Sequence, residues 1–396
     1  MPNDLSPDVI DIVEATAPAV AANIDLIVAT MYRNLLADPE IRVLFNMAHQ
    51  EGVSPQHKAL ATALVAYATH IRSPMVLQAG LERIAQKHAG LQILPEHYPY
   101  VADALLKAVK EVLGDAATDE VLNAWGAAYW HLANILIGRE EEIYSSAEEA
   151  TGGWRGWRRF EIAAKQPEAE GIMSFTLRPV DGGPVLAHRP GQYLSFRIVL
   201  PHGEEVRRNY SISSAPNDRD YRITVKRETH GQVSGWLHDE ASIGTQLQVS
   251  PPAGDFFLEP ADKQQVVLLS GGVGLTPMIS MLESRRGSKS PQMVYVHATQ
   301  NGRQHAMRAQ HEKSADQSFV FYESPAAEDV EGRDYTGRGR IDPNWLAQNT
   351  RADIADYYIC GPEGFMRQMI IGLKAANVSP DRIHYEYFGP AKAELN

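Results

Sequence analysis

The hydrophobic period of this chain changes twice along its length, and no single layered core accommodates all three stretches. Over residues 1–146 apolar side chains recur at three- and four-residue intervals. Val20, Ile24, Ile27, Val28 and Met31 form one face, Leu60, Leu64, Tyr67 and Ile71 a second, and Leu81, Ile84, Ala85 and His88 a third. Val101–Leu113 and Val121–Tyr144 continue the pattern, and Ser6 before Pro7 reads as a helix cap. Six or more helices with short connections predict an all-α domain. Ser145–Gly153, small and acidic with paired glycines at its end, reads as a linker.

From residue 153 the runs shorten and alternate: Phe160–Ile162, Ile172–Leu177, Tyr193–Leu200, Tyr210–Ile212 and Tyr221–Lys226, separated by turns such as Asp181-Gly182-Gly183-Pro184. This spacing predicts a β-barrel or sandwich over 153–260. A third pattern starts at Val266-Val267-Leu268-Leu269, where an apolar strand runs into a glycine turn and a helix. Met293–His297, Phe319–Tyr322 and Tyr357–Cys360 repeat the strand. That alternation predicts an α/β domain with a parallel sheet over 264–396. Three domains suit a chain of 396 residues.

Charge and composition exclude some functions. A net charge of −12 argues against nucleic acid, whose phosphates need a basic face. The run Trp154-Arg155-Gly156-Trp157-Arg158-Arg159 is a local exception and reads as a solvated strand edge. One cysteine, Cys360, allows no intramolecular disulfide. The first residues lack the pattern of a signal peptide, and no apolar run reaches the roughly 18 residues of a membrane span. A cytoplasmic enzyme, monomeric and without a transmembrane segment, is the expectation.

Two glycine turns point to a dinucleotide. Gly271-Gly272-Val273-Gly274-Leu275-Thr276 lies between a strand and a helix, where backbone amides and the helix dipole favour a pyrophosphate. The run departs from Gly-x-Gly-x-x-Gly, so a plain strand-to-helix turn is the competing reading. Cys360-Gly361-Pro362 supplies a second turn of this kind; a buried cysteine that merely packs is the alternative for Cys360. In a doubly wound sheet the two turns can flank one ligand. Upstream, Tyr193 follows Arg189-Pro190-Gly191-Gln192. In Arg208-Asn209-Tyr210-Ser211 an arginine suits a phosphate and a tyrosine suits an isoalloxazine face. Gly231-Gln232-Val233-Ser234 opens a helix suited to a pyrophosphate. Singly, each of these also reads as ordinary core or turn.

With the terminal Glu386-Tyr387-Phe388-Gly389-Pro390, these segments make residues 153–390 resemble the ferredoxin-reductase-like flavoenzymes. The resemblance implies that 153–260 is an antiparallel β-barrel holding FAD, with NADH or NADPH in the domain that follows, hydride transfer between them, and Phe388 covering the flavin face. After the strand ending at His297, Gln300 and Arg303 stand where an acidic ribose partner would decide between NADH and NADPH, so that choice stays open.

In the helical half His88 lies on an apolar face, where a neutral imidazole can ligate haem iron or hydrogen-bond within a core. Without Cys-x-x-Cys-His, any haem would be b-type and noncovalent. Leu44–Gln50, Ile84–Ala89, Pro95–Tyr98 and Gly138–Tyr144 are similar in order to the globin domain of the flavohaemoglobins. That resemblance, with the reductase half, covers nearly the whole chain. It implies His88 as proximal ligand, Tyr98 and Glu140 as its hydrogen-bonded partners, Tyr32 and Gln56 as polar distal residues, and Leu60 as an apolar one. It further implies a nitric oxide dioxygenase, in which NAD(P)H reduces FAD, FAD reduces haem b, and the oxygenated haem converts NO and O2 to nitrate. A lipid or azole is a conceivable occupant of the distal pocket. Two other classes compete: a gas sensor or store whose reductase only resets the iron, and a flavin reductase with a haem-free docking module.

Overall fold

The structure is a computed structural model and describes residues 5–42, 55–259, 264–285 and 291–388, excluding the side chains of 39, 40 and 55–59. Two compact units emerge. Among the described residues, one holds the chain up to Glu148 together with Pro201–Arg207, and the other holds Glu149–Leu200 and Arg208–Phe388.

The first unit is helical. Its elements are α1 (Pro7–Ala22), α2 (Ile24–Leu35), α3 (Pro39–Arg42), α4 (Pro55–Thr69), α5 (Gln78–Leu91), α6 (Tyr98–Leu113) and α7 (Asp119–Glu149). Ser6 caps α1 by accepting from the Val9 amide at 3.4 Å, and Pro7 occupies the first turn, as its missing N–H allows. The buried side chains form two clusters. The larger gathers Val13, Val20, Ile27, Val28, Met31, Leu35, Leu64 and Ile71 with Leu105, Val109 and Trp125. The smaller is Ala85, Tyr98, Ala133 and Leu136, with Leu81, Ile84 and Ile137 packed against it.

Helix α7 corrects the expected linker. It runs unbroken to Glu149, because Ser145, Ala147, Glu148 and Glu149 impose no break and the Ser145 hydroxyl bonds Glu141 one turn back. Nor is the glycine pair that follows slack. A Cβ on Gly152 (φ +75°) would stand 2.5 Å from the Val185 carbonyl oxygen, so the glycine is there for close packing.

The second unit holds both sheets. The first comprises β1 (Arg158–Ala169), β2 (Ile172–Pro179), β3 (Tyr193–Val199), β4 (Glu205–Ser211), β5 (Tyr221–Lys226) and β6 (Gln246–Val249), with α8 (Gln232–Asp239) before the last strand. The order is β4-β3-β6-β1-β2-β5, and the pairings of β1, β2, β3, β5 and β6 are antiparallel. A bridge between Ile212, just past β4, and Ile223 on β5 joins the two edges and closes the barrel. Strand β1 therefore lies inside the sheet, and the Trp154–Arg159 run is not an edge, although Arg155 and Arg159 are exposed. Trp154 is buried and donates through Nε1 to the Val249 carbonyl at 3.1 Å. Arg158 stacks over Trp154 and Phe160 while chelating Asp181 at 2.5 and 2.8 Å.

The second sheet is parallel. It consists of β7 (Gln265–Gly271), β8 (Gln292–Thr299), β9 (Gln317–Tyr322), β10 (Gly337–Arg338), β11 (Asp356–Cys360) and β12 (Ile383–Glu386), with α9 (Leu275–Ser284), α10 (Arg308–Ser314), α11 (Pro343–Asn349) and α12 (Glu363–Ala375) between strands. The order β10-β9-β8-β7-β11-β12 reverses direction between β7 and β11. In such sheets the crevice at that reversal is where ligands bind. Every residue of β7 is buried, as a strand covered on both faces must be.

A column of aromatic rings packs behind this sheet. Tyr295, His297, His305 and His311 stack in succession, with His305 and His311 joined through their Nε2 atoms at 2.9 Å. Desolvation pushes His305 down to about 3 and His311 to about 4 from the ordinary value of 6.5, and His297 well below it. His188, buried against Ser280, falls to about 4 for the same reason. Between pH 6.5 and about 4 the unfolded chain binds protons at these rings that the folded chain refuses, so stability falls as pH falls through that window. Each ring contributes up to about 1.4 kcal/mol per pH unit. Chemical denaturation should show a lower midpoint at pH 5 than at pH 7.5, and His305→Gln with His311→Gln should flatten the difference. A pH-independent midpoint would contradict this account.

No single described helix is long and apolar enough to cross a membrane. Helices α1 and α2 pass such a test only as a pair, but they meet at 87° and place Val13, Val20, Ile27 and Val28 in the core.

Candidate functional site

His88 sits in the last turn of α5, and the structure supplies the partners that periodicity could not. Its Nδ1 lies 2.7 Å from Glu140 Oε1 on α7 and 3.1 Å from the Tyr98 hydroxyl at the start of α6. Tyr98 itself donates to the same carboxylate oxygen at 2.7 Å. Burial, reinforced by the charge and hydrogen bond of Glu140, pushes the Tyr98 phenol far above its ordinary value, so it stays a donor. Tyr129 fixes the start of α6 by donating to the Tyr98 carbonyl at 2.8 Å.

This arrangement fits haem. With Nδ1 carrying the proton toward Glu140, the Nε2 lone pair is free to bind iron, and the ring is 32% exposed where a core histidine would be enclosed. Glu140 is buried with Oε2 unpartnered, a carboxylate set behind His88. Among the described residues no group of three or more His, Cys, Asp or Glu converges on one point.

On the other expected wall, Tyr32 is buried in the larger helical cluster and Leu60 packs against the same cluster from α4. Desolvation holds the Tyr32 phenol protonated well above its ordinary value. The backbone of Gln56 lies in α4, but its side chain is outside the described residues, as is the 44–50 segment.

The two glycine turns meet at the reversal of the parallel sheet. Register places Ser270 beside Cys360, and Cys360 beside Glu386. A Cβ on Gly271 would stand 2.9 Å from Pro362, and one on Gly274 only 2.3 Å from the Cys360 carbonyl oxygen. A Cβ on Gly361 would lie 2.9 Å from the Gly271 nitrogen. Three glycines thus serve the contact of turn with turn. Gly272 differs: it takes φ +52° and faces open space, which suits a backbone cradle for a dinucleotide. Leu275 and Thr276 are buried, and the Thr276 hydroxyl closes the turn on the Val273 carbonyl at 3.1 Å, so these two shape the cradle from behind.

The expected flavin residues lie on the barrel. Tyr193 is buried under Gly254, where an added Cβ would come within 2.9 Å of its ring. Tyr210 meets Phe196 edge-on at 5.6 Å, Ser211 is buried beside it, and Asn209 accepts from the Ser195 hydroxyl at 2.8 Å, which braces the strand bearing Arg208. Ser234 turns inward, accepting from the Glu228 amide and donating to the Gly231 carbonyl. What remains for a pyrophosphate are the backbone amides of Gln232, Val233 and Ser234 at the start of α8. A side chain on Gly231 would strike Ser234 Oγ at 2.3 Å. This loop fits a dinucleotide through main chain rather than hydroxyl.

At the carboxyl end Phe388 is 47% exposed, as a ring meant to cover a ligand would be, and the Tyr387 hydroxyl is buried without a partner. Gly389 and Pro390 are outside the described residues. Sequence reasoning carries Glu386 only as part of a terminal run. Register pairs it with Cys360, and after burial its charge is the next cause raising both the Tyr193 phenol and the Cys360 thiol. A carboxylate two residues before Phe388 was the available signal.

Family models match three segments in order: globin over residues 28–136, an oxidoreductase FAD-binding domain over 159–258 and an oxidoreductase NAD-binding domain over 268–370. The chain is 46% identical to a flavohemoprotein of Rhizobium meliloti strain 1021, over 96% of this chain and 97% of that one. It is 46% identical to a flavohemoprotein of Xylella fastidiosa strain 9a5c over the full length of both. The solved flavohemoglobin of Malassezia yamatoensis, with bound FAD and heme, superposes with a TM-score of 0.84 at 27% identity, covering 97% of this chain and all of that one.

Proposed function

This chain belongs to the flavohemoprotein family, and on that premise we propose that it is a nitric oxide dioxygenase, using NAD(P)H and O2 to convert NO to nitrate. It is an oxidoreductase with a globin haem, FAD and a nicotinamide dinucleotide as cofactors. The proposed division is 1–146 for haem, 153–260 for FAD and 264–396 for the nicotinamide. A monomeric, cytoplasmic enzyme, with a distal pocket that admits a lipid or azole, completes the reading.

The observation that carries it is the His88–Glu140–Tyr98 contact in a chain that also holds the paired glycine turns. When bound, these cofactor groups would supply a hydride donor, a converter to single electrons and a site for O2; overall, two NO and two O2 would consume one NAD(P)H and give two nitrates, NAD(P)+ and a proton. His88 would hold the iron through Nε2. Glu140, accepting from Nδ1, would give the imidazole anionic character and raise its basicity toward a bound metal. Tyr98 fixes the carboxylate from the other side. Mere carriage of O2 needs neither this added basicity nor an attached reductase. Tyr32, kept protonated by burial, would donate a hydrogen bond to the distal ligand, with Gln56 as a second polar group and Leu60 as an apolar wall.

Arg208 would pair with a flavin phosphate, Tyr210 and Tyr193 would pack against its ring system, and Asn209 and Ser211 would line its polar edge. Gly231–Ser234 would present amides to the pyrophosphate. Gly271–Thr276 and Cys360–Pro362 would seat the nicotinamide dinucleotide, with Tyr387–Pro390 closing the flavin side. Haem- and FAD-replete protein should remove NO rapidly when NADH and O2 are both present, with nitrate as product. NO decay indistinguishable from that of buffer would overturn the proposal.

A further inference from the structure

Strand β4 begins with Glu205, Val206 and Arg207 before it reaches Arg208. Residues Pro201–Arg207 pack with the helical unit, although the matched FAD-domain model runs through them. Within that unit the Arg207 guanidinium donates to the carbonyl of Leu91, the last residue of α5.

An α-helix leaves its final four carbonyls without partners in its own ladder. Here the chain folds back to serve two of them. Gln92 adopts a left-handed conformation (φ 56°) and its amide reaches the His88 and Ala89 carbonyls. The Ile93 amide also donates to the His88 carbonyl at 2.9 Å, and the Gln92 side chain to Ala89 at 2.8 Å. These bonds do not reach Leu91, whose carbonyl is met by a side chain 116 residues away. The arginine places a cation at the negative end of the helix dipole, the favourable arrangement. Its side chain is only 11% exposed, so the charge-assisted bond is sheltered from water and strengthened. Tyr144 on α7 grips the same turn by donating to the Ile93 carbonyl at 2.6 Å. The turn that follows His88 is thus held from two directions.

We propose that Arg207 is a positioning residue for electron delivery to the haem: by closing the Leu91 carbonyl it ties the turn that carries His88 to the strand segment leading into Arg208. This rests on the reading above, in which Arg208 binds flavin and His88 ligates iron. The connection is one hydrogen bond and one peptide bond long, and it lies outside both sets of ligating residues. On that reading Arg207 is a ligand of neither cofactor and contributes no reacting atom.

The test uses the full-length holoprotein with Arg207→Leu, which keeps an apolar stem and removes the donors, and Arg207→Lys, which keeps the charge. In the leucine variant NADH-dependent reduction of FAD and of ferricyanide should stay within about twofold of the parent. Flavin-to-haem transfer in anaerobic stopped flow should slow by about tenfold or more, and amide exchange at Gln92–Leu94 should accelerate by a similar factor. The iron–histidine stretching band should shift or broaden, and lysine should restore part of each effect. Parent-like transfer, exchange and band in the leucine variant would overturn the proposal, as would an equal loss of flavin reduction, which marks a general structural role. A parent protein whose haem is never reduced by NADH defeats the flavohaem reading instead, and the exchange and vibrational readouts still decide whether Arg207 holds the turn.

Discussion

His88→Ala should eliminate the haem Soret band and NADH-dependent NO removal, while ferricyanide reduction by the flavin half stays within about twofold of the parent. The loss should exceed the roughly 10- to 100-fold drop that follows when only a ligand's hydrogen-bonded partner is disturbed. Misfolding is a poor explanation for such a result. The imidazole is 32% exposed, so little packing is lost, and alanine is the best helix former for a position inside α5. The substitution does strand Glu140, already buried with one oxygen unpartnered, although Tyr98 still donates to the other. Some loss of stability in the helical unit should therefore accompany the loss of function. Absorption spectra and NO-electrode traces on the same preparation decide the matter, and a variant that keeps both Soret band and turnover would remove His88 from the iron.

Gly274→Ala should severely damage the reductase half. Its Cβ would stand 2.3 Å from the Cys360 carbonyl oxygen, 2.5 Å from the carbonyl carbon and 2.7 Å from the Gly361 nitrogen. All three are backbone atoms, so no rotamer change relieves the clash and one turn must move off the other. Overpacking of this kind costs about 3 kcal/mol and occasionally more. Because both turns would seat the same dinucleotide, NADH-dependent flavin reduction should fall by at least about tenfold, with a raised KM. Gly272→Ala is the contrast: its Cβ meets nothing within 4 Å, and only the left-handed φ of +52° opposes it. That penalty is about 1 kcal/mol. Stopped-flow flavin reduction across an NADH series would separate the two, and equal effects would refute the turn-on-turn account.

Much of the architecture was legible along the chain. A helix or strand is chosen by residues a few positions apart, so apolar spacing placed the helical half, the alternating strands and the strand–glycine–helix unit where they stand. Ranges were less secure. The linker reading failed at Ser145–Glu149 because composition alone does not end a helix, and none of those residues removes a backbone donor. The Trp154–Arg159 run looked solvated because its arginines are charged; the partner that buries Trp154 is the Val249 carbonyl, 95 residues away.

The sites divide along the same line. His88 on an apolar helix face, and glycines after a buried strand, are local patterns and could be seen at once. Their purposes depended on distance. Three of the glycines serve one turn pressed on another rather than a ligand directly, and Ser234 serves its own loop. The carboxylate behind His88 is 52 residues away and the carbonyl that Arg207 closes is 116. Spacing along a chain carries information only as far as one helix or strand keeps it in register. Beyond that the path of the backbone chooses each side chain's partner. Sequence therefore established which elements form and which residue types could do chemistry. Only the tertiary structure decided that Glu140 and Tyr98 stand behind His88, that the glycine turns pack on each other, and that Arg207 closes the helix carrying the candidate ligand.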